Sequence, residues 1–324
     1  ALQRWSGMNA GKKTLVEGAP SPDRNEEYLL YQTLLGAWPE GPMEGGATGR
    51  FRDRVAAYME KATREAKVHT TWVNPHQAYD TAVREFVTRL LPDDPKDPFL
   101  ADLAEFVRPL VFFGRLNSLA QTLLKLACPG VPDFYQGTEL WSLDLVDPDN
   151  RRPVDFDRRR AALAEIQGRP PKTPKLPQAA KDLLAAGDSG RIKLHVIHRV
   201  LAFRAQHPEL FDRGNYTPLE CSGDLGEHVC AFSRSWEDHS ILVVVPRLAY
   251  TLMKGRTDWP LGTGLWKDTK LLIPSLEPGM AFHNVLTGET VKVGSQRNRS
   301  DLGVGTILKT FPVALLERLD AQVR

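Results

Sequence analysis

Hydrophobic residues recur at helical spacing through much of the first two thirds of the chain. The clearest case lies between Phe112 and Ala127, where apolar positions follow one another at intervals of four and three residues. That spacing places them on one broad stripe, as expected of a helix packed against a core. The same pattern predicts further helices after Ser21, from about Phe51 to Val68, from about His76 to Leu91 and from about Arg191 to Gln206.

Beyond Phe211 the pattern changes to short apolar runs with turn residues between them. Such runs, rich in β-branched residues, predict strands. This change predicts two domains, one covering residues 1–212 and an all-β domain, a sandwich, covering residues 213–324. We expect strands at Val229–Trp236, Ile241–Val245 and Leu271–Pro274, a hairpin within Ala281–Val293, and a last strand within Ile307–Leu316.

One short apolar run, Val131–Tyr135, stands apart from the β-rich region. We interpret it as a buried strand that ends at Gln136-Gly137 and is followed by a polar loop. Helix, short strand and polar loop are the repeating order of a (β/α)8 barrel, where functional groups gather at the C-terminal ends of the strands. One strand cannot close a barrel. From the residues alone, the expected fold is therefore a barrel unit within a mainly helical region, followed by a β-sandwich domain.

Composition and charge narrow the possible partners. The chain has 42 Lys and Arg against 40 Asp and Glu, a formal net charge of +2, which predicts no nucleic-acid or membrane partner. No apolar run approaches the roughly 20 residues that span a bilayer. The first residues resemble neither a signal nor a transit peptide, and no Met begins them, so we expect a cytoplasmic protein read from partway along its chain.

Three cysteines predict reduced thiols, with a disulfide between Cys221 and Cys230 as the alternative. His195 and His198 are spaced as in some metal sites but have no partnering ligand motif, so a helix–helix contact is favoured. We expect neither a metal nor an organic cofactor. Residues 169–178, rich in Pro and Lys, predict an extended connector.

The polar loop that follows Tyr135 is the densest cluster of functional groups. Carboxylates and amides hydrogen-bond sugar hydroxyls, guanidinium groups hold those carboxylates, and aromatic faces pack on the sugar ring. The alternative is a salt-bridged loop in which Arg151 and Arg152 pair with neighbouring aspartates. From the residues alone both interpretations stay open, and Glu139 with Asp147 is a first guess at a catalytic pair.

Several segments resemble known proteins. Val131–Glu139 resembles the eighth-strand motif of the α-amylase superfamily, and Asp147–Pro153 also suits that superfamily. More specific segments are similar to the maltooligosyl trehalose synthase family, and this likeness runs from about residue 20 to the end. These segments are Asn25–Pro39, Thr71–Pro75, Asn117–Lys125 and Phe311–Leu316.

The resemblance implies the C-terminal part of a (β/α)8 barrel with helical insertions, followed by a β-sandwich domain. It also implies an intramolecular transglucosylase. Such an enzyme converts the reducing-end α-1,4 linkage of a maltooligosaccharide into an α,α-1,1 linkage, using an Asp nucleophile and a Glu acid/base. The segments that carry these acids in the superfamily do not occur in this sequence. We therefore predict no catalytic residue here, an inactive isolated chain, and a need for the N-terminal part of the same enzyme. The predicted substrate-binding residues are Tyr135, Gln136, Glu139, Asp149, Asn150 and Arg151.

Two other functions remain as alternatives. One is a fragment of an α-amylase-type glycoside hydrolase, which would share only the eighth-strand motif. The other is a non-catalytic glucan-binding fragment, which predicts an exposed aromatic platform formed by Trp259 and Trp266. Trp72 is either a sugar-stacking residue or a packing residue at a helix junction.

Overall fold

The computed structural model describes residues 1–39, 46–94, 96–168, 176–273, 276–296 and 299–319. The chain forms two compact units. Unit 1 comprises Ala1–Leu110 and Leu143–Pro153, and unit 2 comprises Val111–Ser142 and Val154–Arg324.

Unit 1 is mainly helical, as the spacing of its hydrophobic residues predicted. Helix α2 begins where Asp23 accepts a hydrogen bond from the backbone N–H of Glu26 at 2.8 Å, which satisfies one free donor of the first turn. The described elements are α1 (Leu2–Asn9), β1 (Thr14–Val16), β2 (Ala19–Ser21), α2 (Arg24–Ala37), α3 (Ala47–Ala66), α4 (Gln77–Leu90) and the first part of α5 (Pro98–Ala127).

Aromatic packing closes the core of unit 1. Trp5 of α1 is fully buried, and its ring centroid lies 5.6 Å from Tyr31, 6.0 Å from Phe99 and 5.3 Å from Phe106. Edge and tilted contacts of this kind add to the free energy gained by burying such large side chains. They tie α1 and α2 to the first half of α5.

Unit 2 contains the second half of α5 and a further set of helices. Helix α8 has the predicted bounds, whereas α5 begins at Pro98 rather than Phe112. Residues 169–175 of the predicted connector lie outside the described residues, and its remainder opens α7 rather than staying extended. The helices are α6 (Phe156–Gln167), α7 (Leu176–Ala185), α8 (Arg191–Gln206), α9 (Pro208–Asp212), α10 (Ala249–Met253), α11 (Gly262–Trp266) and α12 (Val304–Ile307).

The β-rich region predicted beyond Phe211 is confirmed as one antiparallel sheet. Its strand order is β8-β7-β11-β5-β4-β3-β6-β10-β9. Part of the predicted last strand is instead helix α12, and β11 starts only at Ala314. The strands are β3 (Asn215–Ser222), β4 (Val229–Trp236), β5 (His239–Pro246), β6 (Lys270–Leu272), β7 (Ala281–Asn284), β8 (Thr290–Lys292), β9 (Gly294–Gln296), β10 (Arg299–Gly303) and β11 (Ala314–Leu319).

The sheet is buried on both faces and curls around one of its cores. Successive residues of β5 point to opposite sides, so Val243 packs with α5 and α8 while Val244 enters a second core. Val291 of β8 and Leu302 of β10, near opposite ends of the strand order, both contribute to that second core. A sheet whose distant strands share one core approaches the closed arrangement of a barrel or sandwich.

The strand predicted at Val131–Tyr135 is not formed. Among the described residues no strand pairs with this segment, and an extended segment becomes a β-strand only through hydrogen bonds to a neighbour. The (β/α)8 barrel therefore stays a prediction. The boundary at 212/213 lies close to the start of β3, but helices before it pack in the same unit as the sheet, so it too stays a prediction as a domain boundary.

The three cysteines are free and partly buried. Within the described ranges, no helix combines the length and the apolar composition that crossing a bilayer requires.

Candidate functional site

The predicted site residues fall into both units. Asp149, Asn150 and Arg151 belong to unit 1, and Tyr135, Gln136 and Glu139 belong to unit 2. The predicted site residues thus form two groups, one in each unit.

Asp149 is the centre of the group in unit 1. Its side chain is 7% exposed. Arg54 of α3 binds it with both sides of the guanidinium, Nε to Oδ1 at 2.9 Å and Nη2 to Oδ2 at 2.9 Å, and the backbone N–H of Leu145 donates to Oδ2 at 2.8 Å. Bidentate pairs of this kind fix the relative orientation of the two side chains as well as joining opposite charges. Asp149 thus holds residues 143–153 against α3.

These bonds determine the protonation of Asp149. Burial alone would raise its pKa, but the hydrogen bonds from Arg54 and Leu145 and the positive charges of Arg54 and Arg152 outweigh burial, and the pKa is below its ordinary value. Asp149 is therefore a carboxylate at neutral pH. Arg54 completes the anchor by donating from Nη2 to the carbonyl oxygen of Leu143 at 2.8 Å.

The residues beside Asp149 are more accessible. Arg151 has 71% of its side chain exposed and pairs with Asp147 through Nε at 2.5 Å, while Arg152 pairs with Asp144 and with Asp149. Asn150 is half-buried, and its side-chain oxygen has no hydrogen-bond partner among the described residues. The salt-bridged loop weighed as an alternative thus describes the contacts of Arg151 and Arg152.

In unit 2, Tyr135 to Glu139 form a turn. The backbone N–H and the hydroxyl of Thr138 both donate to the carbonyl oxygen of Tyr135, at 3.1 and 2.7 Å. Gly137 has φ +91°, and a Cβ there would lie 3.2 Å from a methyl group of Val154, so this position favours glycine. Tyr135 and Gln136 remain exposed on the turn.

Glu139 is held by an arginine from the next helix. Arg159 of α6 donates from Nε to Glu139 Oε2 at 2.8 Å and from Nη1 to the carbonyl oxygen of Asp155 at 2.9 Å, and it also bonds the carbonyl oxygen of Gly137. One guanidinium therefore fixes both the turn and its carboxylate. Glu139 keeps 27% of its side chain exposed.

Lys193 adds positive charge near Glu139, and Lys125 lies near Lys193. Burial, together with the charge of Lys125, lowers the pKa of Lys193 to about 8, against the opposing effect of the charge of Glu139. Lys125 lies with its Nζ 3.7 Å from the centre of the Phe134 ring, a close cation–π contact. Lys193 is thus a lysine that gains or loses its proton near neutral pH.

One cavity of unit 2 lies between α6, α7 and α8. It has a volume of about 430 Å³, and none of the predicted site residues lines it. Its walls include His195, whose Nε2 lies 2.8 Å from the carbonyl oxygen of Leu286 and whose pKa is lowered to about 4 by burial. This bond joins α8 to the turn between β7 and β8, so the partner of His195 in it is not the second helix that was expected.

Known proteins resemble most of this chain in sequence or in structure. No family model matches the sequence. A protein of Mycobacterium tuberculosis whose name assigns it to the maltooligosyl trehalose synthases is 36% identical over 255 residues, which are 77% of this chain and 29% of that protein. A structure of maltooligosyltrehalose synthase from Arthrobacter ramosus matches with TM-score 0.69 and 30% identity, over 98% of this chain and 35% of that one.

This chain is homologous to part of a maltooligosyl trehalose synthase. A Sulfolobus tokodaii structure described as a hypothetical maltooligosyl trehalose synthase agrees, at TM-score 0.62 and 28% identity over 97% of this chain and 34% of that chain. The chain spans about a third of the length of these relatives. The family resemblance inferred from the sequence motifs is confirmed.

Some residues important to this maltooligosyl trehalose synthase homologue were missed by the sequence analysis. Arg54 carries no motif and lies 95 positions from Asp149, so only folding identifies it. Arg159 lies in a run of three arginines, residues 158–160, whose sequence is typical of a solvated helix face, whereas it binds Glu139. Arg159 lies one turn inside α6, which follows the polar loop. An arginine at such a position can reach back to a carboxylate of the loop, and this signal could have indicated Glu139 as its partner.

The proposed aromatic platform was wrong. Trp266 is fully buried, and its indole N–H donates to the carbonyl oxygen of Pro260 at 2.9 Å. Trp259 is partly buried and packs against Phe112, with ring centroids 5.0 Å apart. Both tryptophans therefore serve the core. Trp72, by contrast, is 55% exposed, and its ring lies 4.7 Å from the guanidinium carbon of Arg64.

Proposed function

We propose that this chain is part of an intramolecular transglucosylase that converts the reducing-end α-1,4 linkage of a maltooligosaccharide into an α,α-1,1 linkage. The observation that carries the proposal is the match over 98% of the chain to the Arthrobacter ramosus maltooligosyltrehalose synthase structure. The independent sequence identity to the Mycobacterium tuberculosis relative supports it. The nucleophile and the acid/base, in this proposal, belong to a part of the enzyme that this sequence does not include.

The reaction itself sets what this chain must contribute. After the glycosidic bond breaks, the released glucose must stay bound and turn so that its anomeric hydroxyl attacks, while water is held away. Catalysis of this kind depends on groups that hold sugar hydroxyls in fixed directions. Rigid polar loops serve this purpose better than mobile ones, because a shift of about 1 Å can reduce the rate a hundredfold.

We assign different roles to the six predicted substrate-binding residues. The oxygens of Asp149 are engaged by Arg54, Arg152 and Leu145, and Glu139 is engaged by Arg159, so both act as positioning residues. The exposed groups can meet a glucan: the ring of Tyr135 for stacking, and the side chains of Gln136 and Arg151 for hydroxyls. Asn150 is half-buried with a buried side-chain oxygen, so its role is to shape the loop.

The reaction type can be tested with the enzyme that contains this chain. Incubation with maltopentaose should yield non-reducing products that carry a terminal trehalose unit, detected by loss of reducing ends without shortening of the oligosaccharide. New reducing ends without such products would mean an α-amylase-type hydrolase and would contradict the proposal. The isolated 324-residue chain should form neither product, since we place the catalytic acids outside it.

The binding role of the loop requires a variant. We expect Arg151→Ala in the same enzyme to lower kcat/KM for trehalose formation at least about tenfold, equivalent to about 1.4 kcal/mol of lost transition-state stabilisation. Arg160→Ala is the matched control, since Arg160 is 77% exposed against 71% for Arg151, and it pairs with an aspartate three positions away where Arg151 pairs with one four positions away. Equal activity of Arg151→Ala and the native enzyme would leave the loop with a structural role only.

A further inference from the structure

A group of metal-binding residue types lies in unit 1 and shares no member with the residues predicted to bind substrate. Asp23, Glu26 and His69 each place one ligand atom within 4.8 Å of the others. Asp23 precedes α2, Glu26 lies in its first turn, and His69 belongs to the segment between α3 and α4. Residues far apart in sequence thus converge on one point.

One carboxylate oxygen in this group has no partner. Glu26 is 6% exposed, and among the described residues its Oε1 accepts no hydrogen bond, while Oε2 accepts one from the hydroxyl of Tyr79. A buried carboxylate oxygen without a donor is costly and uncommon. A cation beside it would satisfy this oxygen.

The other two side chains are placed to complete a coordination shell. His69 Nε2 lies 2.9 Å from Asp23 Oδ2, and both side chains are partly exposed, at 35% and 38%. Water can therefore reach the open side of the group. Asp23 Oδ1 is occupied as the cap of α2, which leaves Oδ2 on the side of His69.

The surroundings restrain the ligands. The ring of Tyr79 stacks on His69 at 4.5 Å between centroids, and its hydroxyl fixes Glu26. Outer partners of this kind orient metal ligands and limit their motion. Asp23 and Glu26 bring two carboxylates close together, so a positive charge between them would be favourable.

We propose that Asp23, Glu26 and His69 form a binding site for a divalent transition-metal ion, with Zn²⁺ as the best fit. One imidazole and two carboxylates suit zinc, whereas Ca²⁺ and Mg²⁺ prefer oxygen ligands alone. The two carboxylates balance the double charge of the ion. A bound ion would fasten the start of α2 to the segment that leads into α4, so its role is structural.

His76 provides a matched control for His69. Its side chain is 34% exposed, and it also stacks on Tyr79, at 6.3 Å, but it pairs with Glu17 and does not join the group. Substitution of either histidine by glutamine removes an imidazole that stacks on Tyr79, and the two imidazoles are exposed to nearly the same extent. Only one of the two removes a proposed ligand.

Calorimetric titration of the metal-stripped chain with ZnCl₂ tests the site. We expect one zinc per chain, an affinity at least about tenfold lower for His69→Gln and Glu26→Gln, and native affinity for His76→Gln. X-ray absorption at the zinc edge should show nitrogen and oxygen ligands at about 2.0–2.2 Å and no sulfur near 2.3 Å, which excludes the three cysteines. Circular dichroism verifies folding, and His69→Gln decides the question if Glu26→Gln unfolds.

Three results would contradict the proposed zinc site. Absence of stoichiometric zinc binding by the native chain, a sulfur signal, or an equal loss of affinity in His76→Gln would each overturn the site. The contacts of Asp23, Glu26, His69 and Tyr79 would then be a hydrogen-bonded network only. None of these outcomes bears on trehalose formation.

Discussion

Two arginine–carboxylate pairs anchor the polar segment that follows Phe134, and they differ in origin and in burial. In unit 1, Arg54 reaches Asp149 from 95 positions away, and the Asp149 side chain is 7% exposed. In unit 2, Arg159 lies 20 positions from Glu139, whose side chain is 27% exposed. One pair depends on the tertiary fold, whereas the other is assembled by neighbouring parts of the chain.

This difference has an energetic consequence. Removing one partner of a buried ion pair is costly, because the charge of the other partner stays buried without compensation. Removing one partner of a more exposed pair costs less stability, since water replaces the missing partner. The Asp149 pair should therefore matter more for folding than the Glu139 pair, and both should exceed the exposed pair of Arg151 with Asp147.

The largest effect is expected for Arg54→Ala. It leaves the buried carboxylate of Asp149 without its main partner and frees the carbonyl oxygen of Leu143, so we expect the free energy of unfolding to fall by about 3 kcal/mol. Urea unfolding followed by circular dichroism measures the change. Arg84→Ala, which removes a 60% exposed arginine from a surface pair with Glu60, is the control and should cost under about 1 kcal/mol. Equal losses would show that burial does not distinguish these pairs.

The second prediction concerns Asp149→Asn and pH. The pKa of Asp149 is below its ordinary value, so its charge stabilises the folded state fully above the unfolded pKa of about 4 and ceases to do so as pH falls through the folded pKa. At neutral pH we expect the variant to be less stable than the native chain by about 2 kcal/mol. That gap should stay constant down to about pH 5 and narrow below about pH 4. A gap independent of pH in acid would contradict the assignment of a stabilising carboxylate.

Arg159→Ala should have a smaller effect. Its loss frees Glu139 and two backbone carbonyl oxygens, but Glu139 can turn toward water, so we expect a fall of about 1 kcal/mol in the free energy of unfolding. Arg160→Ala is the control, because Arg160 is 77% exposed and its partner Asp157 is 93% exposed. A loss as large as that of Arg54→Ala would remove the distinction between the two pairs.

The same contrast explains what the sequence could predict. Helix α8 and strand β4 were predicted with their observed bounds because a single local period specifies each. Strand β3 was missed, since most of its residues are exposed and it lacks a buried alternating face. The strand at Val131–Tyr135 was wrong because strand formation depends on a partner, which hydrophobicity does not reveal.

Site prediction met the same limit. The residue types of the polar segment and the glycine of its turn are local, and the family likeness follows from contiguous motifs. The partners Arg54 and Arg159 had to be found in three dimensions, as did the burial of Trp266, whose sequence neighbourhood of glycines predicts an exposed turn. Local chemistry was therefore predictable, whereas the pairing that makes a group accessible or inaccessible was not.

The smallest effect on folding is expected at the most exposed pair. Arg151 is 71% exposed and Asp147 is 41% exposed, so Arg151→Ala should change the free energy of unfolding by less than about 0.5 kcal/mol, measured by urea unfolding beside native protein. Because this guanidinium contributes so little to stability, a loss of trehalose formation in the same variant would arise from lost contact with the glucan. A stability loss comparable to that of Arg54→Ala would instead mean that Arg151, like Arg54, serves to hold the segment in place.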